Sequence, residues 1–359
     1  MPELDAVRGI AILGVVLYHA FYWKTDLTAF PHFERLFITA FWPGRLGVNL
    51  FFVLSGFLIT GLLLDSRNRI DYFRRFYIRR GLWILPAYLV VLTILVATHY
   101  TSIAFIIFSL AYLSNLTPLF GVAIGYPVLW SLAVEEHFYF VWPAIVRWFK
   151  AKTLLYCSLS IIVLSPILRL LSFYIAQKSD HVSYEINDYT WNSSDGLACG
   201  AVLAIVLREY AVDEKRLLRL CYFCILLSVI IWSFGLPFGI ISRLTPFGTA
   251  LQVVPWHLLF VALLGICIVI GAGPKRYFVQ VPFLKLLNEI SYGLYLIHVL
   301  VFDGFDWFAK QHRVPGMGWG KLSDLIVRFA YVGCLSMLLA YLSRRQFEDR
   351  FLTLKSRFS

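Results

Sequence analysis

Apolar residues in this chain fall in long blocks, not in the alternating or one-faced patterns of a soluble fold. Runs of about 17 to 25 residues recur along the whole length, each long enough to cross a bilayer core as a helix. Five basic clusters separate them: Arg67/Arg69/Arg74/Arg75/Arg79/Arg80, Arg147/Lys150/Lys152, Arg208/Lys215/Arg216/Arg219, Lys275/Arg276/Lys285 and Arg344/Arg345/Arg350/Lys355/Arg357. Placing all five on the cytoplasmic side limits the crossings between each pair. The pattern predicts spans at 6–23, 45–64, 80–98, 128–147, 153–175, 194–209, 217–235, 251–271, 284–302 and 324–343. The expected architecture is therefore all-α, a polytopic bundle of about ten transmembrane helices with both termini cytoplasmic. Residues 103–117 are apolar but short and end in Ser114-Asn115, which predicts a re-entrant or interfacial segment. With no linker or internal repeat, one integral-membrane domain over 1–359 is expected, without an appended soluble domain.

Composition agrees with that reading. Sixty per cent of residues are hydrophobic, 15% are charged, and mean hydropathy is +0.74. The first run is read as a retained span and not a signal peptide. Asp5 precedes it, and bulky Phe21, Tyr22 and Trp23 stand where small cleavage-site residues belong. The net charge of +11 reads as cytoplasmic loop charge, not as a nucleic-acid footprint. All six cysteines fall in predicted spans and read as small apolar packers. Cys221 and Cys224 have a C-x-x-C spacing with no second ligand pair, so no metal is expected.

The chemistry concentrates where ionisable residues enter the apolar runs. Arg8 and His19 lie eleven residues apart in the first span. On a helix that is about three turns, about 20° in azimuth and roughly 16 Å along the axis. Ser131, Glu135 and Tyr139 are spaced by four and share one face of the fourth span, while Glu136 and His137 point elsewhere. His298 lies well inside the ninth span, Asn49 near the outer end of the second, and Asp195 at the start of the sixth. Counting helical rise, His19, Glu135, His298, Asn49 and Asp195 share the outer half, and Arg8, Arg79 and Arg80 the inner boundary. A histidine with a carboxylate partner can act as general base near neutral pH. Arginines at the cytoplasmic edge suit bidentate phosphate binding. Ser55, beside Gly56, reads as a helix contact before it reads as a nucleophile.

At this point the motifs resemble the acyltransferase-3 family, integral-membrane enzymes that O-acylate carbohydrates of bacterial surface polysaccharides and other extracytoplasmic acceptors. The matching stretches are Leu4-Asp5-Ala6-Val7-Arg8-Gly9 with its Arg–ten–His spacing, Gly47 to Ile59, Arg79-Arg80 to Pro86, Trp130 to Tyr139, Asp195-Gly196-Leu197, and Ser291 to His298. The resemblance implies an acyl-coenzyme A donor on the cytoplasmic side and an acceptor hydroxyl outside. It also implies that Arg8 and His19 are required and that Arg79 and Arg80 serve the donor. Two positions depart from the family pattern. Trp83 stands where another Arg is usual, shifting donor contacts onto Arg79, Arg80 or the preceding Arg74 and Arg75, and Asn49 stands where an acid is frequent. Many relatives carry an appended extracytoplasmic esterase-like domain. Without one, this chain is expected to transfer the acyl group unaided or through a separate partner.

The resulting expectation is an O-acyltransferase of the bacterial inner membrane, with acetyl favoured as the acyl group. The acceptor is a surface polysaccharide or its lipid-linked precursor. His19, oriented by Glu135, takes the acceptor proton, and transfer is direct. Acetyl-coenzyme A is co-substrate; no bound cofactor and no nucleic-acid partner are expected, and the chain is compatible with a homo-oligomer. The alternative is a transporter of an anionic or lipid-linked solute; against it, the chain lacks the repeated halves with broken helices that such folds display.

Overall fold

The computed structural model describes residues 2–178, 187–272, 281–312 and 321–355. Lys275, Arg276 and Arg357 of the basic clusters lie outside the described residues. The protein is an all-α polytopic membrane protein, with no strand among the described residues. Its helices are α1 (Pro2–Leu17), α2 (His32–Thr39), α3 (Gly47–Ser66), α4 (Tyr72–Ala97), α5 (Ile103–Leu110), α6 (Leu129–Trp148), α7 (Ala151–Lys178) and α8 (Thr190–Glu209). There follow α9 (Glu214–Gly235), α10 (Pro246–Leu251), α11 (Val254–Ala272), α12 (Pro282–Gln311), α13 (Leu322–Arg328), α14 (Cys334–Ser343) and α15 (Asp349–Lys355).

Eight helical stretches among the described residues are long and apolar enough to cross a bilayer. Of the ten expected spans, α6 and α8 are absent from those eight. Each has 20 residues, or about 30 Å, so length is sufficient. What lowers their hydropathy is the polar content itself, Glu135, Glu136 and His137 in one and Asn192 and Asp195 in the other. The short apolar segment does not cross: α5 has eight residues, about 12 Å. Ser114 and Asn115, which follow it, are buried, and bond to Leu129 O (3.0 Å) and Thr190 Oγ1 (2.9 Å).

Two boundaries need correction. Residues 72–80 are helical, so Arg74, Arg75, Arg79 and Arg80 sit on α4 and not in a loop. The aromatic residues explain this: Tyr72 and Phe76, one turn apart, are buried, leaving the arginine stems to reach the boundary. Likewise α12 continues to Gln311, past the predicted end at 302, because Asp303 and Asp306 find ionic partners there.

The residues pack as two units, interleaved in sequence. The first comprises Met1–Leu4, Asn49–Phe73 and Val96–Val279. Within it α3 and α8 cross closely: a Cβ on Gly56 would strike the Leu197 backbone, and one on Gly200 the backbone of Val53 and Phe57. Small residues are what let membrane helices approach to this distance. Gly200→Val should therefore cost about 1–3 kcal/mol, read as a lower midpoint of thermal unfolding in detergent. Gly304→Ala, where an added Cβ meets nothing within 4 Å, should stay near wild type. Trp142 Nε1 donates to Thr60 Oγ1 (2.8 Å), tying α6 to α3.

The second unit comprises Asp5–Val48, Arg74–Leu95 and Gln280–Ser359. Here α1 lies against α12 at Gly9, whose added Cβ would come within 2.5 Å of the Leu284 carbonyl oxygen. The hydroxyl of Tyr292 on α12 donates to Ile84 O of α4 (2.9 Å). The last turn of α1 widens into a π-helical turn, Tyr18–Tyr22, a feature frequent at functional sites.

Candidate functional site

In the second unit, α1 and α12 are joined by two polar rungs. At the lower one, Arg8 Nη1 donates to Asn288 Oδ1 (3.3 Å), and Asn288 Nδ2 donates to Asp5 Oδ1 (3.0 Å). One amide thus links a cation and a carboxylate one turn apart on α1. At the upper rung, His19 Nδ1 lies 3.2 Å from His298 Nε2, with the rings edge to face at 4.9 Å. The rungs are eleven residues apart on α1 and ten on α12, about 16 Å in each case, so the two helices run in the same direction.

The hydrogen bonds of the upper rung select the tautomers. His298 is fully buried, and its Nδ1 faces the carbonyls of Leu294 (3.0 Å) and Tyr295 (2.9 Å). Carbonyls only accept, so that nitrogen carries the proton and His298 Nε2 presents a lone pair. His19 Nδ1 faces Val15 O (2.9 Å) as well as that lone pair, so it too is the protonated nitrogen. A neutral ring then has its basic lone pair on Nε2. Each proton here is assigned from the acceptor it meets.

A short way along α12, Tyr292 packs on Trp83 (5.3 Å), and the Arg80 guanidinium rests over the Trp83 ring (4.7 Å). Asn288 and Tyr292, one helical turn apart, therefore bring Arg8 and Arg80 to the same stretch of α12. Trp83 serves as a platform for Arg80. Arg79 and Arg80, adjacent on a helix, point about 100° apart, whereas Arg75 and Arg79 share a face.

The first unit holds two polar clusters. Glu135 accepts from Ser55 Oγ at one carboxylate oxygen and from Tyr139 Oη at the other, both at 3.0 Å. Ser131, on the same predicted face, turns its hydroxyl to Val128 O (3.2 Å). The other cluster centres on Asp195, 1% exposed. Arg169 Nη2 donates to Asp195 Oδ2 (2.9 Å), and its other nitrogens donate to Ala250 O (3.0 Å) and Asn192 O (2.6 Å). His257 bridges onward, with Nδ1 3.4 Å from Asp195 and Nε2 3.0 Å from Asn49 Oδ1.

The sequence profile of an acyltransferase domain matches residues 1–345. The chain belongs to that family. It is similar to a peptidoglycan O-acetyltransferase OatA of Listeria monocytogenes, 28% identical over 83% of this chain and 49% of the relative. An O-acetyltransferase OatA of Staphylococcus aureus is 25% identical over 88% of this chain and 53% of the relative. A putative peptidoglycan O-acetyltransferase YrhL of Bacillus subtilis is 36% identical over 40% of this chain and 23% of the relative. The chain spans about half the length of the first two. No solved structure matches it.

Of the acyltransferase residues expected from sequence, the fold joins His19 to His298, Glu135 to Ser55 and Tyr139, and Asn49 to Asp195 through His257. Three partners escaped the sequence reading: Asn288, Arg169 and His257. The last two carried a usable signal, as ionisable residues inside the predicted spans 153–175 and 251–271. Asn288 carried none, being an uncharged residue near a span end.

Proposed function

We propose that the chain is a membrane O-acetyltransferase that moves an acetyl group from acetyl-coenzyme A to a hydroxyl of an extracytoplasmic carbohydrate. The observation that carries this reading is the pair of rungs between α1 and α12, a cation at one and an oriented imidazole at the other. Arg8, with Arg79 and Arg80, holds the donor phosphates at the cytoplasmic end. The acyl-pantetheine arm extends along the two helices towards His19, a reach of about 16 Å. His19 Nε2 takes the proton of the acceptor hydroxyl as its oxygen attacks the thioester carbonyl. The carbon–sulfur bond breaks, coenzyme A leaves as thiolate, and the imidazolium returns the proton to it. The product is an O-acetyl ester. His298 and Val15 O hold His19 in the working tautomer throughout. The names of the relatives, one a peptidoglycan O-acetyltransferase and another a putative peptidoglycan O-acetyltransferase, support the acetyl group and a cell-wall glycan as acceptor. The reading sets the protein in a bacterial plasma membrane with both termini in the cytoplasm, as the basic clusters suggest.

The test is donor affinity and turnover measured on separate variants. Arg8→Ala should weaken acetyl-coenzyme A binding by about 1.5–3 kcal/mol, roughly ten- to hundredfold in Kd by calorimetry. His298→Ala should instead lower kcat and leave donor affinity unchanged. Glu135→Gln separates the two candidates for orienting His19: if His298 does so, His298→Ala is the more damaging. Unchanged donor affinity in Arg8→Ala would remove the phosphate assignment.

A further inference from the structure

We infer that Arg328 is a positioning residue that holds the His19–His298 pair in register, an inference that rests on the proposed role of His19. Arg328 ends α13 inside the last apolar stretch and is 7% exposed. Such a residue is costly in a membrane helix unless it is fully engaged. Its guanidinium grips two places at once. Nε and Nη2 donate to the two oxygens of Asp306 (2.8 and 2.6 Å), while Nη1 donates to Ala20 O (2.8 Å). Ala20 directly follows His19, and Asp306 lies eight residues beyond His298 on α12, about two turns. One side chain therefore ties the helix end bearing His19 to the helix bearing His298.

The Ala20 carbonyl needs such a donor. The helix ends at Tyr22: Trp23 is extended, with ψ of 131°, and Lys24 follows with φ of 63°. The last carbonyls of a helix lack in-helix partners, and here three of them are met by groups beyond the turn. Phe21 O takes the Thr25 hydroxyl and Tyr22 O the Thr25 N–H. Ala20 O takes Arg328. The π-helical turn that displaces His19 is thus capped by the same guanidinium that clamps α12. A second ion pair, Lys24 to Asp303 (3.0 Å), joins the same elements, but Lys24 is 56% exposed and such pairs contribute little. Lysine has no planar fork, so it cannot serve Asp306 bidentately and Ala20 together.

The decisive experiment is a double-mutant cycle on the full chain in nanodiscs, using Arg328→Lys and His298→Ala with acetyl-coenzyme A as donor. Arg328→Lys alone should lower kcat by about ten- to hundredfold with donor KM unchanged, the effect of a sub-ångström to ångström shift of a reacting group. In the His298→Ala background it should cost nothing more, because the register it maintains no longer matters. Equal losses in both backgrounds, or an unchanged kcat in the single variant, would overturn the assignment. Asp306→Asn repeats the cycle if the lysine variant does not fold. Nitrogen-15 NMR of labelled histidines gives a readout free of turnover: His19 should be the Nδ1–H tautomer in wild type and a mixture in Arg328→Lys. If wild type transfers no acetyl while the tautomer still shifts, the acetyltransfer reading fails and the positioning role stands. If wild type turns over and the tautomer is unmoved, the positioning role fails.

Discussion

His19→Ala is expected to lower acetyl transfer by about 10²–10⁴-fold, the range that a positioned general base contributes. The loss should appear in kcat, since the donor phosphates are assigned to Arg8 and α4 and not to the imidazole. Folding should survive. His19 is half-buried, and its side-chain bonds run to Val15 O of its own helix and to His298, so the loss in stability is about one hydrogen bond, on the order of 1 kcal/mol. Size-exclusion profiles and thermal midpoints matching wild type, alongside the drop in kcat, would separate a chemical role from a packing one. Wild-type turnover in this variant would remove His19 from the mechanism.

Asp195→Ala should do the reverse, and destabilise the protein by about 3–5 kcal/mol, because it strands a buried guanidinium. Arg169 and Asp195 are each about 2% exposed, and the carboxylate is the only charge among the three groups bonded to Arg169 by the described hydrogen bonds. Ala250 O and Asn192 O would remain to it, and carbonyls do not neutralise a cation. The same pair ties α7 to α8, while the Ala250 contact reaches α10. Replacing both partners, Arg169→Met with Asp195→Leu, should cost less than the sum of the single losses, since neither charge is left alone. Thermal unfolding in detergent measures the single and double variants, and strict additivity would contradict an ion pair that matters.

How far the sequence reveals this arrangement differs between its parts. The long apolar runs of α7, α9 and α11 are readable because a bilayer demands helices of that length. Boundaries are less readable where a helix leaves the hydrocarbon. The first turns of α4 look like a charged loop, yet Tyr72 and Phe76 bury one face and keep it helical. In the site, counting residues along helices gives height. His19 and His298, at equal counted depth, are indeed bonded to one another. Counting does not give azimuth or neighbours. The described bonds of the His19 imidazole Nδ1 run to Val15 O and His298, and those of the Glu135 carboxylate to Ser55 and Tyr139, neighbours that depth alone does not name. Asn288 has meaning only once its helix stands beside α1, and the residue does not announce that alone.

The most direct test of the central claim follows the acetyl group. The purified protein in nanodiscs is given acetyl-coenzyme A labelled in the acetyl carbon, with a peptidoglycan-type glycan as acceptor, alongside His19→Ala. The account predicts free coenzyme A and labelled, base-labile ester on the glycan with wild type, and neither above background with the variant. Equal label transfer by both proteins would contradict it.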